Sequence, residues 1–197
     1  MPGTSIPAHR SGRARVQALR AVATGLLGLS LLAESHAAPA AQWVLDSGTL
    51  EATARFEGQP VPGRFHRFHI RFHPPRDGVP GGVRVKVDMT SLRFEISDVN
   101  RAIAGPEWLH LHRHAWAGYE GEVVESGEGH LLARGELQLK GMRHSLQVPL
   151  SWHPGEGRLE GSVTVDRTWF GIGPDDGSGV APGVEVRFDL RLRRETP

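Results

Sequence analysis

The last segment of the chain alternates strictly between apolar and charged residues. Val184, Val186, Phe188, Leu190 and Leu192 fall on one face, and the residues between them are all charged. A β-strand places successive side chains on opposite faces, so the pattern predicts a strand with one buried and one solvated face. An apolar sheet face must be covered, and closure of the sheet leaves no exposed edges. The pattern therefore favours a β-barrel.

The same alternation recurs along most of the chain, between segments rich in glycine and proline. It predicts strands at 43–57, 63–73, 83–89, 119–125, 130–139, 144–152, 157–166 and 183–193. Gly141 lies between two of these strands and is expected in a hairpin turn that requires positive φ. Pro149 falls on the polar face of its strand, which indicates a sheet edge or a bulge.

One segment, residues 98–108, departs from the strand pattern. Asp98 is a suitable N-cap for a short helix, and Gly105 with Pro106 is suitable for ending it. The predicted fold class is therefore all-β: an eight-stranded antiparallel lipocalin-like barrel with one short helical crossover. A barrel of this size can hold one ligand.

The first residues of the chain do not share this pattern. Several arginines precede an apolar run from Ala21 to Ala33, and 35–37 offers the small residues of a cleavage site. The apolar run has about 13 residues, fewer than the roughly 20 of a permanent membrane helix, although an uncleaved anchor is the alternative. We expect a signal peptide at 1–37, a barrel domain at 38–197, and a periplasmic or secreted mature protein.

Composition excludes several classes of protein. The chain has 23 basic and 22 acidic residues, whereas a dedicated nucleic-acid binder needs a basic stripe. It has no cysteine, so stability must come from core burial and backbone pairing. Serine and aspartate residues are scattered without a nucleophile elbow. We therefore predict no catalytic residues and expect that the protein is not an enzyme.

Histidines alternate in one short segment of the chain. His110, His112 and His114 would share one face if the segment were a strand, and imidazoles spaced in this way can bind zinc or copper. The alternative is a loop with solvated histidines. These three residues are the predicted metal ligands of a second hypothesis, a metal-binding periplasmic protein.

A series of short motifs resembles a known family, in order and spacing, over residues 43–193. The motifs lie at 43–46, 63–65 with Phe68, 85–88, 91–92, 107–109, 135–141 and 167–173. They resemble the YceI-like polyisoprenoid-binding family. The resemblance implies a periplasmic lipocalin-like barrel whose interior accommodates an isoprenoid or quinone-like lipid. It also implies a membrane b-type cytochrome as a partner, because members are often encoded beside one or fused to one.

Apolar and aromatic side chains on the inward faces are the candidate lipid-binding residues, because pockets for apolar ligands are lined by such groups. Ordinary core packing is the alternative for each aromatic residue. The candidates are Trp43, Phe65, Phe68, Phe72, Val85, Val87, Trp108, Tyr119, Leu137, Leu139, Val148, Trp169, Phe170, Val186 and Phe188. A third hypothesis is a cavity-less adaptor of the membrane cytochrome. The oligomeric state stays open, a dimer included.

Overall fold

The computed structural model describes residues 41–174 and 177–195, so the predicted signal peptide lies outside the described residues. The elements are β1 (Trp43–Phe56), β2 (Gln59–Phe65), β3 (Phe68–His73), β4 (Gly81–Asp88), β5 (Leu92–Phe94), α1 (Ser97–Ala104), β6 (Trp116–Gly127), β7 (His130–Leu139), β8 (Met142–His153), β9 (Arg158–Asp166) and β10 (Gly183–Arg194). Short 3₁₀ turns at Met89–Ser91 and Arg167–Phe170 follow β4 and β9. Within the described ranges, no helix has the length and apolar character needed to cross a membrane.

The sheet closes on itself through antiparallel strands. Its order around the ring is β1, β3, β4, β6, β7, β8, β9 and β10, and β10 pairs with β1 to complete the closure. Two short strands are added outside this ring, since β2 pairs with β1 and β5 pairs with β2. Together with α1, the one α-helix of the described residues, this confirms the predicted eight-stranded antiparallel lipocalin-like barrel with a short helical crossover.

The predicted strand at 63–73 is in fact two strands. The chain leaves β2 after Phe65, and the backbone N–H groups of His66 and Arg67 donate to the buried Ser91 hydroxyl over 3.2 and 3.0 Å. This corner allows β2 to pair with the second half of β1 while β3 pairs with its start. Phe65 and Phe68 are three residues apart, so the buried positions change from odd to even numbers at this corner and the period of two is broken there.

The helix ends as predicted but begins differently. Gly105 closes α1, whereas the N-cap position is Ile96 and no side chain caps it. The prediction that Asp98 caps the helix is therefore wrong: Asp98 lies inside the first turn and forms an exposed ion pair with Arg101. Asn100 fixes the helix to β5 instead, because its side-chain amide exchanges two hydrogen bonds with the Phe94 backbone over 2.9 and 2.7 Å.

Aromatic side chains fill one end of the barrel. The Trp152 ring lies 4.8 Å from that of Trp43 and 5.0 Å from that of Phe72, centroid to centroid, in edge-on arrangements. Phe72 is fully buried, and Leu159 beside this layer is nearly so. We call this end the plugged end. At the opposite end, the loop end, the barrel meets α1 and the segments 105–115, 171–174 and 177–182.

Candidate functional site

An apolar cavity occupies the barrel interior between the plugged end and the loop end. Its volume is about 280 Å³. An apolar protein cavity of about 150 Å³ is large enough to hold benzene, so this one has room for a ligand of about twice that size. The cavity contradicts the hypothesis of a cavity-less adaptor, which required an interior filled by its own side chains.

Most of the predicted lipid-binding side chains line this cavity. They are Phe65, Phe68, Val85, Val87, Trp108, Tyr119, Leu137, Leu139, Val148, Val186 and Phe188. Strand alternation turns all of them inward except Trp108, which lies in the turn after α1. In β10, Val186 and Phe188 stand opposite Val163 and Gly161 of β9. The apolar face of β10, which its alternating sequence predicted, therefore surrounds the cavity.

Four of the predicted residues do not line the cavity. Trp43 and Phe72 belong to the aromatic layer of the plugged end. Trp169 and Phe170 lie in a 3₁₀ turn, where neighbouring side chains do not alternate between two faces as they do in a strand. Trp169 is 46% exposed, while Phe170 is buried with its ring edge-on to His144 at 4.9 Å.

Sequence reasoning missed lining residues that come from outside the barrel strands. Ile103 of α1 and Leu109, Ile172 and Val180 of the following segments complete the lining at the loop end. Leu109 and Ile172 belong to the motifs at 107–109 and 167–173, so the family motifs were the sequence feature that could have identified them as lining residues. Strand periodicity could not reveal them, because it applies only where the backbone is extended.

Tyr119 brings one hydroxyl to the cavity wall, and that hydroxyl is already bonded. It donates to the Leu146 carbonyl oxygen at 3.1 Å, so the side chain reaches from β6 past β7 to β8. Gly121 makes this possible, because a Cβ at this position would lie 2.9 Å from the Tyr119 hydroxyl oxygen. Burial raises the pKa of Tyr119 to about 12, so the phenol is neutral at physiological pH.

Arg167 is the charged residue of the lining, and its hydrogen bonds stay within the chain. It is 3% exposed, and it donates to the carbonyl oxygens of Ile172 at 2.6 Å, Val180 at 2.8 Å and Ala181 at 3.2 Å. No buried side-chain nitrogen or oxygen of the described residues lacks a hydrogen-bond partner. The cavity therefore suits an apolar chain better than a polar group, which would find no free partner there.

The barrel wall contains a seam between β8 and β9. These strands pair only from Leu150 to His153 on β8, and within the described strands the residues from Met142 to Pro149 have no partner on β9. The Pro149 carbonyl oxygen faces Gly161, so its missing N–H also lies on the β9 side. This position confirms the sheet-edge alternative predicted for Pro149. Gly141, with φ of 80°, forms the predicted turn before β8.

The histidine cluster does not form the predicted metal site. His110 has a φ of 49° and its carbonyl oxygen accepts from the backbone N–H groups of Arg113 and His114, so the segment is a turn. A turn removes the alternation that would have aligned His110, His112 and His114. Across the described ranges, no group of three histidine, cysteine or acidic side chains is placed to hold a metal ion.

A closed eight-stranded barrel around an apolar cavity defines a lipocalin-like barrel protein with a site for an apolar ligand. The YceI-like domain family model matches residues 43–192, and the chain belongs to this family. A UPF0312 protein of Vibrio cholerae is 28% identical over 164 residues, covering 80% of this chain and 78% of that protein.

Solved structures show the same fold at low sequence identity. BcnA of Burkholderia cenocepacia has a TM-score of 0.70 and 20% identity, over 76% of this chain and 99% of that one. A polyisoprenoid binding domain from Saccharophagus degradans has a TM-score of 0.57 and 13% identity, over 78% and 98% of the two chains. Campylobacter jejuni YceI protein has a TM-score of 0.61 and 9% identity, over 71% and 87%.

Proposed function

We propose that this protein is a non-enzymatic binding protein that holds an isoprenoid or quinone-like lipid chain in its barrel, for transport or sequestration. The observation that carries the proposal is the cavity of about 280 Å³, lined by apolar side chains whose few polar neighbours are already bonded. The fold shared with a domain described as polyisoprenoid binding supports the same ligand class.

Chain burial can supply the binding energy without specific polar contacts. Each buried CH₂ contributes about 0.8 kcal/mol, so a five-carbon isoprene unit contributes about 4 kcal/mol. Immobilising a ligand costs roughly 4–15 kcal/mol, so one unit is too little and two or more are needed for a stable complex. Affinity should therefore rise with the number of isoprene units.

Cavity volume sets how much of such a chain is enclosed. At the density of benzene in a cavity of about 150 Å³, the observed space holds about ten carbon atoms, or two isoprene units. The rest of a longer chain, with its head group, would lie beyond the enclosed space. Because the plugged end is filled by Trp43, Phe72 and Trp152, we place that remainder at the loop end.

The location that we propose is the periplasm or the exterior, reached through cleavage of a signal peptide at residues 1–37. The arginines before the apolar run and the small residues at 35–37 support this proposal. Mass spectrometry of the mature protein from its own cells tests it. A mature chain that begins near residue 38 is the expected result, and a retained segment 1–37 would contradict cleavage.

Native mass spectrometry of the protein purified from its own cell envelope tests the bound lipid. We expect a mass increment that organic extraction removes and that lipid analysis assigns to an isoprenoid. The stripped protein should then take up an added polyprenol or quinone. Protein that is recovered empty and that fails to take up either compound would refute the proposal.

A further inference from the structure

Exposed apolar side chains are concentrated at the loop end of the barrel. Phe56, Ile96, Met142 and Trp169, which we call the rim, are between 40% and 54% exposed. Among the described residues, the other large exposed apolar side chains are Val79, in the turn at the plugged end, and Trp116, which begins β6 at the loop end and lies on the outer wall beneath the Lys86 ammonium. Exposed apolar groups gathered at one end of a molecule commonly mark a contact surface.

The segments that carry Met142 and Trp169 are fastened to one another, so their side chains are held in place. The Trp169 ring stacks on His144 with centroids 5.8 Å apart. Lys140 donates to the carbonyl oxygens of Gly171 and Glu107, which ties the β7–β8 turn to both neighbouring segments. The Gly173 N–H donates to the same Glu107 carbonyl oxygen at 2.7 Å. The side chains in this part of the rim are therefore held in fixed positions by hydrogen bonds and ring stacking.

Basic side chains surround these apolar groups. Lys140, Arg143 and His144 follow one another around Met142, and His114 lies against Gly141 of the same turn. Arg113 is exposed on the adjoining segment. Lys140 contacts the backbone carbonyl oxygen of Glu107, and the Glu107 side chain is itself exposed. A tryptophan and a methionine near lysine and arginine side chains match the interface of an anionic bilayer, where amphipathic aromatic rings insert and basic residues meet phosphate groups.

We propose that the loop end docks on an anionic phospholipid surface through Met142 and Trp169, with Arg113 and Arg143 supplying the electrostatic attraction. Docking at this end would bring the cavity next to the bilayer from which the protein takes up its lipid ligand. The inference rests on the proposed function and adds to it the surface at which the lipid enters. The alternative occupants of this surface, a protein partner or a second copy of the chain, are outcomes of the test below.

Vesicle co-sedimentation of the lipid-stripped protein tests the inference. We expect binding to phosphatidylglycerol vesicles, weakened by salt, and little binding to phosphatidylcholine vesicles. Trp169→Ser should weaken binding at least about tenfold through the lost apolar burial. Arg143→Ala should weaken it about fivefold, as expected for one basic residue at an anionic surface. Urea unfolding of each variant checks that the fold is retained.

Matched controls separate the rim from the rest of the surface. Val79→Ser removes an apolar side chain that is 65% exposed in the turn at the plugged end, and Arg76→Ala removes a charge from the same turn. Both should leave vesicle binding unchanged. The inference is overturned if neither vesicle type binds, or if these controls weaken binding as much as Trp169→Ser. If the protein does not bind vesicles but sediments as a dimer, and if Trp169→Ser dissociates that dimer, the rim is an interface with a second copy of the chain instead.

A second readout distinguishes this inference from the proposed lipid binding. Trp169→Ser should keep the wild-type affinity for a short polyprenol of two isoprene units added from alcohol solution, because this chain fits within the cavity and Trp169 does not line it. Its extraction of the same polyprenol from phosphatidylglycerol vesicles should be slower. Vesicle binding without any polyprenol uptake would refute the proposed function and leave the docking surface in place.

Discussion

Arg167 shows how a charged residue is accommodated beside an apolar cavity. Its guanidinium fixes the segment that follows β9, since three carbonyl oxygens of residues 172–181 accept from it. Asp166, one residue earlier, begins the 3₁₀ turn by accepting from the Thr168 backbone N–H and hydroxyl. These bonds to Thr168 also lower the pKa of Asp166, so its carboxylate is ionised at physiological pH. The two residues together hold the loop end in shape.

Replacing Arg167 by alanine should destabilise the protein strongly. It would leave buried carbonyl oxygens without donors, and each such group costs about 1–3 kcal/mol. We expect the free energy of unfolding in urea to fall by about 3 kcal/mol or more. Arg187→Ala is the control, because Arg187 forms an exposed ion pair with Glu185 whose removal should cost about 1 kcal/mol or less. Equal losses for the two variants would contradict this role of Arg167.

Tyr119 offers a direct measure of burial in the cavity wall, because it is the one tyrosine of the chain. Its ultraviolet titration should have a midpoint near 12 in the folded protein, against about 10 in urea. The folded pKa is raised, so the stability that neutral Tyr119 contributes is present below about pH 10 and is lost as the pH rises towards 12. A folded-state midpoint near 10 would show that the phenol is exposed to water.

At the scale of elements, the strands differ in how far their sequence revealed them. The alternation of β10 predicted its bounds to within a residue, and β7 was predicted at 130–139. The split between β2 and β3 was missed although the spacing of three between Phe65 and Phe68 breaks the period of two. The short strand β5 was missed because its three residues are too few to show a period, and it forms by pairing with β2. The turns of the loop end have no strand periodicity. The positions of the Trp169 side chain and of the three histidines were therefore predicted wrongly.

The seam between β8 and β9 should be visible by hydrogen exchange. Amide groups of β8 between Met142 and Gln147 that face β9 lack a strand partner there, while those of β7 are paired on both sides. We expect these β8 amides to exchange faster than the amides of β7 and faster than the paired amides at Ser151 and Trp152. Uniform protection along β8 would contradict an open seam.

At the scale of the whole molecule, a closed sheet without disulfides surrounds a space that its own side chains do not fill. The family could be recognised from the order of the motifs, and the cavity-lining faces could be predicted from alternation. The existence of the cavity could not be predicted from the sequence, because its volume depends on how far Tyr119, Phe188 and their neighbours extend into the barrel. Its closure at one end likewise depends on the contacts among Trp43, Phe72 and Trp152.

The central claim is that the lipid chain lies inside the barrel, and a filled cavity tests it. Val186→Trp puts a bulky side chain into the space that Val186 lines, opposite Ala52 of β1 and Val163 of β9. Thr164→Trp is the matched control, because Thr164 is exposed on the outer face of β9. Cooperative urea unfolding of both variants checks that the barrel still forms.

The deciding measurement is the dissociation constant of a polyprenol for the wild-type protein and these two variants. We predict that Val186→Trp weakens binding at least about tenfold, since the added side chain takes the place of buried carbon atoms of the ligand. Thr164→Trp should bind as the wild-type protein does. A folded Val186→Trp variant with wild-type affinity would show that the lipid chain is not held in the cavity.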